Sequence, residues 1–172
     1  SYLEYLSTHD QLTGVANRSL LYDRLSHALA HAKRDQKMIA VFFLDLDGYK
    51  TINDLFGHLV GDQFLIQIAK RLSANLRESD TVARFGGDEF ILVLENISGV
   101  DAIKPITEKI LKSIAKPYRI NDHTCQVTTS IGISLYPMDG TTSEDLISKA
   151  DTAMYRAKQL GKNQYKFFSL RS

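Results

Sequence analysis

Hydrophobic positions along this chain follow three patterns, and each predicts a different kind of element. Leu21, Leu25, Ala28, Leu29 and Ala32 recur at helical spacing, which predicts a helix packing that face on a core, with residues 33–37 as a charged loop behind it. Residues 39–44 (IAVFFL) form an unbroken apolar run of strand length, which predicts a central strand buried on both faces. Tyr49, Ile52, Leu55 and Phe56 suggest a short helix over about residues 48–55, followed by a turn at 57–62. Asp62 then stands as the N-cap of a helix whose apolar face is Phe64, Leu65, Ile68, Ala69, Leu72 and Leu76. Residues 81–85 and 90–94 read as the two strands of a hairpin. Ile103, Ile106, Ile110, Leu111 and Ile114 mark a helix from 98 to 116, stopped by Pro117. From Cys125 to Leu135 apolar residues alternate with small or polar ones, which predicts one long strand with a single buried face. Thr142-x-x-Asp145 is a capping-box pattern opening a last helix through Leu146, Ala150, Met154 and Ala157; Gly161 ends it, and residues 165–168 close as a strand. A hairpin beside a central strand, with helices between, predicts an α/β (α+β) fold built on a mixed sheet. Residues 1–9 read as the end of a linker helix from an upstream domain, and 10–170 as a single domain.

Two acidic clusters disturb this pattern. The central strand runs into Asp45-Leu46-Asp47, and alternation sends both carboxylates to the same side at the edge of an apolar sheet. Isolated charges there are costly, and a hard divalent cation completed by substrate phosphates removes the cost. Asp47 is also placed to cap the following helix. Forty residues on, the hairpin turn is Gly86-Gly87-Asp88-Glu89. A turn requires glycine but not two adjacent carboxylates, which repel unless a cation joins them.

Composition narrows the function. With 21 Lys plus Arg against 20 Asp plus Glu, the net charge of +1 disfavours duplex nucleic acid or an anionic membrane surface as partner. Cys125 is the only cysteine, so no internal disulfide can form, which suits a reducing, cytoplasmic setting. No apolar run approaches a membrane span. The abrupt start at Ser1 leads us to expect a domain of a longer protein.

RFGGDEF, FLDLDGYKTINDLFGHLVGD and MYRAKQLGKN, in this order and spacing, are similar to the GGDEF family of diguanylate cyclases, and the resemblance runs from about residue 10 to about 168. It implies a five-stranded sheet like the palm of nucleotide cyclases and polymerases. It implies condensation of two GTP into cyclic di-GMP with release of two pyrophosphates, dependent on Mg²⁺ or Mn²⁺ and carried out by a homodimer. By resemblance Asp45, Asp88 and the Leu46 carbonyl hold metal, with Glu89 sharing it. Asp88 or Glu89 accepts the 3′-hydroxyl proton; we favour Asp88, where many family members carry Glu. Asn53 and Asp62 match the guanine-reading pair, and His58 a position near the nucleotide. The backbone N–H groups of Gly48 and Tyr49 could bind phosphate at a helix start. Lys50 matches a residue beside the reacting phosphate, and Lys158 and Lys162 match cations on the triphosphate. Arg often replaces the second of these in the family. Arg77 and Asp80 match the R-x-x-D inhibitory product site. Asp10 to Arg18 matches the entry motif D-x-L-T-x-x-x-N-R, which we read as a hydrogen-bonded loop without chemistry. The resemblance also implies an upstream sensor domain and, with Arg171-Ser172 as the start of a linker, a downstream EAL phosphodiesterase. The alternative function is a GTP-binding regulatory domain steering that neighbour. A palm-type polymerase is disfavoured by the near-zero charge.

Overall fold

The computed structural model describes residues 1–169; the end of the expected domain at 170 and the linker expected at 171–172 lie outside the described residues. The apolar run forms β1 (Met38–Asp47), and its alternation divides the protein. Ala40, Phe42, Leu44 and Leu46 face one cluster, and Ile39, Val41 and Phe43 the other. On the first face lie α3 (Tyr49–Phe56), α4 (His58–Ala74) and α5 (Val100–Ala115). On the second lie α2 (Arg18–Asp35) and α6 (Ser143–Gln159). Flanking β1 are β2 (Thr81–Gly86), β3 (Glu89–Ile97), β6 (Thr128–Tyr136) and β7 (Tyr165–Phe167), in the sheet order β2-β3-β1-β6-β7. The first three pairings are antiparallel and β6–β7 is parallel, giving the expected five-stranded mixed sheet with helices on both faces. A short N-terminal helix, α1 (Tyr2–Thr8), carries no buried residue. Among the described residues, no helix is long and apolar enough to cross a membrane.

Four local expectations are corrected. Lys33 and Arg34 belong to the last turn of α2, where cations suit the helix C-terminus, and not to a loop. Residues 58–62 are helical: α4 starts at His58 behind Gly57, so Asp62 lies inside the helix and is not its N-cap. The Gly61-Asp62 pair imitates a turn, but Gly61 is buried, and a Cβ there would lie 1.8 Å from the Asn53 side-chain oxygen. Its glycine serves close packing of α3 on α4. The long strand is broken: residues 118–125 form a separate hairpin, β4 (Tyr118–Ile120) with β5 (His123–Cys125), before β6 begins. Finally, β6 is buried on both faces. Ser130, Gly132 and Ser134 are small because α6 lies against them: a Cβ on Gly132 would stand 1.9 Å from the Ala150 carbonyl oxygen, and Ser134 Oγ donates to the Leu146 carbonyl at 2.6 Å. Smallness was mistaken for solvent exposure.

Candidate active site

The C-terminal end of β1 and the β2–β3 turn meet through sheet register. Asp45 pairs with Glu89 across β1 and β3, and the Leu46 N–H donates to the Asp88 carbonyl at 3.4 Å. The two acidic clusters are therefore one site. The turn is braced from outside by the entry motif. Arg84 donates from Nε to the Gly87 carbonyl at 3.0 Å and from Nη1 to Asp10 at 3.3 Å. Arg18 donates to the Phe85 carbonyl at 2.7 Å and lies over the Phe85 ring. The stretch around Asp10 is the hydrogen-bonded loop expected, with Thr13 donating to Asp10 from both its N–H and its hydroxyl. That it clamps the β2–β3 hairpin was not visible in sequence, because Asp10 and Arg84 are far apart along the chain.

Charge at the site is poorly compensated. Burial pushes the Asp45 carboxyl up to about 7; the neighbouring Asp88 charge and a hydrogen bond with Asp88 add to this, and Lys158 opposes it. Burial also raises Glu89, helped by the charges of Asp151 and Asp88. Asp151, on α6, is a neighbour that sequence reasoning missed.

Asp47 shares a side with Asp45, as alternation requires, since Lys158 Nζ lies 3.5 Å from Asp45 and 3.3 Å from Asp47. It does not cap α3. Gly48, with φ of 87°, occupies that N-cap with no side-chain hydrogen bond. Asp47 instead accepts from the Thr128 hydroxyl at 2.7 Å, the Ser130 hydroxyl at 2.8 Å and the Asn163 N–H at 3.1 Å.

Beside this centre, α3 and α4 form a second group. Burial raises the Tyr49 phenol, which hydrogen-bonds Asn53 and feels the charge of Asp62. The structure thus brings Asn53, Asp62 and Tyr49 together. Asn53 Oδ1 is buried without a hydrogen-bond partner, an arrangement that costs free energy until a donor arrives. Lys50 on α3, His58 at the start of α4 and Lys162 in the loop after α6 are exposed.

Arg77 and Asp80 lie elsewhere, in the turn after α4. Asp80 accepts from the Arg77 N–H at 3.0 Å, from Arg77 Nη2 at 3.1 Å and from the Glu95 N–H at 3.3 Å, and only 3% of its side chain is exposed. Arg77, about half exposed, borders a groove also lined by His9, Arg24 and Leu76.

Among the described residues, no group of three or more His, Cys, Asp or Glu side chains is arranged to cage a metal. The donor set offered is smaller: an electrostatically strained carboxylate pair beside a strand end. That fits Mg²⁺, which is held by one or two carboxylates and completes its octahedron with water and substrate phosphates.

The family model "Diguanylate cyclase, GGDEF domain" matches residues 7–164. The chain is 50% identical over 163 residues to the bifunctional diguanylate cyclase/cyclic di-GMP phosphodiesterase MucR of Pseudomonas aeruginosa, covering 95% of this chain and 24% of MucR. It is 44% identical over 159 residues to diguanylate cyclase TpbB of the same species, covering 91% of this chain and 36% of TpbB. The solved GGDEF domain of TpbB superposes with a TM-score of 0.91 at 40% identity, covering 94% of this chain and 95% of that one. The GGDEF domain of DgcB from Caulobacter crescentus, solved in complex with c-di-GMP, gives 0.86 at 27% identity, covering 95% and 94%. The chain spans only about a quarter of MucR and a third of TpbB.

Proposed function

The chain belongs to the GGDEF family of diguanylate cyclases, and from that premise we propose that this domain condenses two GTP into cyclic di-GMP with release of two pyrophosphates. The observation that carries the proposal is the Asp45–Asp88 pair, two acidic residues that the β1–β3 register and the Leu46 N–H to Asp88 carbonyl bond bring to one strand end, with Lys158 as the cation beside them.

Asp45, Asp88 and the Leu46 carbonyl would hold a divalent cation, Mg²⁺ or Mn²⁺, with Glu89 sharing it. When bound, the cation neutralises charge on the attacking hydroxyl and the departing pyrophosphate. Asp88 accepts the 3′-hydroxyl proton, and Glu89 is its alternate. Asn53 offers its side-chain amide and Asp62 its carboxylate to the N–H edge of guanine, which presents adjacent donors that adenine lacks. The N–H groups of Gly48 and Tyr49 meet phosphate at the start of α3, while Lys50, Lys158 and Lys162 approach it as cations and His58 borders the nucleotide. Positioning and charge neutralisation dominate phosphoryl transfer, so a site without a covalent nucleophile is sufficient.

One domain binds one GTP and the product contains two linkages, so two copies must face each other as a homodimer. Arg77 and Asp80 form the inhibitory product site, with the exposed guanidinium on phosphate and the buried Asp80 carboxylate holding that guanidinium in place. The c-di-GMP complex of DgcB supports product recognition by this fold. In the whole protein we place this domain in the cytoplasm, with an upstream sensor reached through α1. The bifunctional description of MucR supports a second reading, in which the domain binds GTP to steer an adjacent EAL phosphodiesterase. Incubation of the purified protein with GTP and Mg²⁺ or Mn²⁺, followed by chromatography of the nucleotides, separates the two. Cyclic di-GMP establishes the cyclase, and GTP binding without product favours the regulatory reading.

A further inference from the structure

We propose that Asp47 is the positioning residue for triphosphate binding: it anchors residues 158–163 to the end of β1 and holds Lys158 beside the Asp45–Asp88 pair. The inference rests on the reading that Lys158 and Lys162 bind the triphosphate.

A D-x-D at a strand end invites the assignment of both carboxylates to metal, but the two differ. Asp47 is buried and its two oxygens are both occupied. Oδ1 takes the Ser130 hydroxyl at 2.8 Å and Lys158 at 3.3 Å, and Oδ2 takes the Thr128 hydroxyl at 2.7 Å and the Asn163 N–H at 3.1 Å. The hydroxyls come from β6 and fix the carboxylate in the sheet. The other two donors come from the far end of α6 and the loop behind it. That loop bends through three successive left-handed residues: Gly161, Lys162 and Asn163, with φ of 123°, 62° and 50°. Non-glycine residues stay in this region only when their surroundings hold them there. The N–H groups of the two non-glycine residues are both held: Lys162 N–H donates to the Ala157 carbonyl at 3.0 Å, and Asn163 N–H to Asp47. Asp47 therefore fixes the backbone beside Lys162 and the ammonium of Lys158 together. It also gives Lys158 a second carboxylate to remain on when Asp45 takes a divalent cation, so that the lysine stays near the site.

Asp47→Asn retains the size, keeps one hydroxyl as a donor while the other turns to accept from the new amide, and removes the charge. The probes are the non-reacting α,β-methylene analogue of GTP, and GMP, each titrated by calorimetry with Mg²⁺, together with Mn²⁺ alone followed by electron paramagnetic resonance. We expect Asp47→Asn to weaken the triphosphate analogue on the order of tenfold, as loss of a charge-assisted hydrogen bond does, with GMP changed less than about twofold. Mn²⁺ binding without nucleotide is unchanged. Lys158→Met weakens the analogue comparably, and adding Asp47→Asn to it has little further effect, because the pair acts as a unit. Thr128→Val, which removes one of the two donors to Asp47 Oδ2, gives a smaller loss confined to the analogue and decides the matter should Asp47→Asn fail to fold. Loss of Mn²⁺ binding in Asp47→Asn would make Asp47 a metal ligand and overturn the inference. Equal loss of analogue and GMP would make its role merely structural and overturn it too. If Lys158→Met weakens the analogue while Asp47→Asn and Thr128→Val do not, the inference alone fails. An unchanged affinity in Lys158→Met removes the triphosphate reading of the lysine and the inference with it.

Discussion

The two ends of the β2–β3 hairpin carry acidic groups in opposite electrostatic states. At the turn, Asp45 and Asp88 face each other with Lys158 as partial compensation, and Asp45 is held near neutral pH by burial and like charge. At the open end, Asp80 is more deeply placed, with 3% of its side chain exposed against 21% for Asp45, yet both its oxygens accept hydrogen bonds and Arg77 neutralises it. A buried carboxylate that is fully satisfied fixes a turn. One that is left short of donors stores affinity for something not in the chain. On this reading the hairpin is a rigid strut between a site built to bind a cation with phosphate and a turn whose carboxylate is satisfied from within the chain, leaving the Arg77 guanidinium half exposed.

The sharpest way to break the comparison is to neutralise each end. Asp88→Asn and Asp45→Asn are expected to reduce turnover by roughly 10²–10⁴-fold or more, the scale of lost proton-transfer catalysis, with thermal stability equal to or above that of the wild type. Near wild-type turnover in either would remove the site assignment. Asp80→Ala does the reverse: it leaves the Glu95 and Arg77 backbone N–H groups without their acceptor and costs about 1–3 kcal/mol in stability. A denaturant midpoint unchanged by Asp80→Ala would show that the satisfied end carries no structural weight. Arg77→Ala raises the final yield in a full progress curve with little change in initial rate, and tight product binding retained by that variant contradicts the inhibitory assignment.

Base recognition gives a smaller effect. Asp62→Ala is expected to weaken GTP on the order of tenfold and narrow its margin over ATP, by loss of a charged hydrogen bond. Gly61→Ala does the same indirectly, since its Cβ would displace the Asn53 amide. Unchanged GTP affinity by calorimetry in both variants would move guanine recognition elsewhere.

The smallest effect is the pH dependence of metal-free stability. Asp45 in the fold titrates near 7, above its ordinary 3.8, so the fold binds this proton more tightly than the unfolded chain does. Its contribution is full below about pH 4 and is lost as pH rises through about 7. Asp45→Asn flattens this slope, and a wild-type slope of the opposite sign across that window, with other carboxylates corrected by the variant, would contradict the site electrostatics.

Much of this was legible in sequence because it is local or periodic. The run at 39–44 could only be a doubly buried strand, and the Gly86-Gly87 turn declared itself. What failed was whatever depended on a distant neighbour. Ser130, Gly132 and Ser134 looked solvent-facing because nothing nearby announces that α6 rests on them. Gly61 looked like a turn because its reason, Asn53, sits on another helix. Asp47 looked like a cap because the groups it accepts from are more than eighty residues later in the chain. The site's carboxylates were found from their type and spacing; the division of labour between Asp45 and Asp47 required the fold.

The account is tested most directly by the specific activity of the purified protein with saturating GTP and Mg²⁺, measured by chromatography over a hundredfold range of protein concentration. Two facing sites that each contribute an Asp88 turn predict cyclic di-GMP at a specific activity that rises with concentration and is absent in Asp88→Asn. No cyclic di-GMP at any concentration, or product formed equally well by Asp88→Asn, would contradict it.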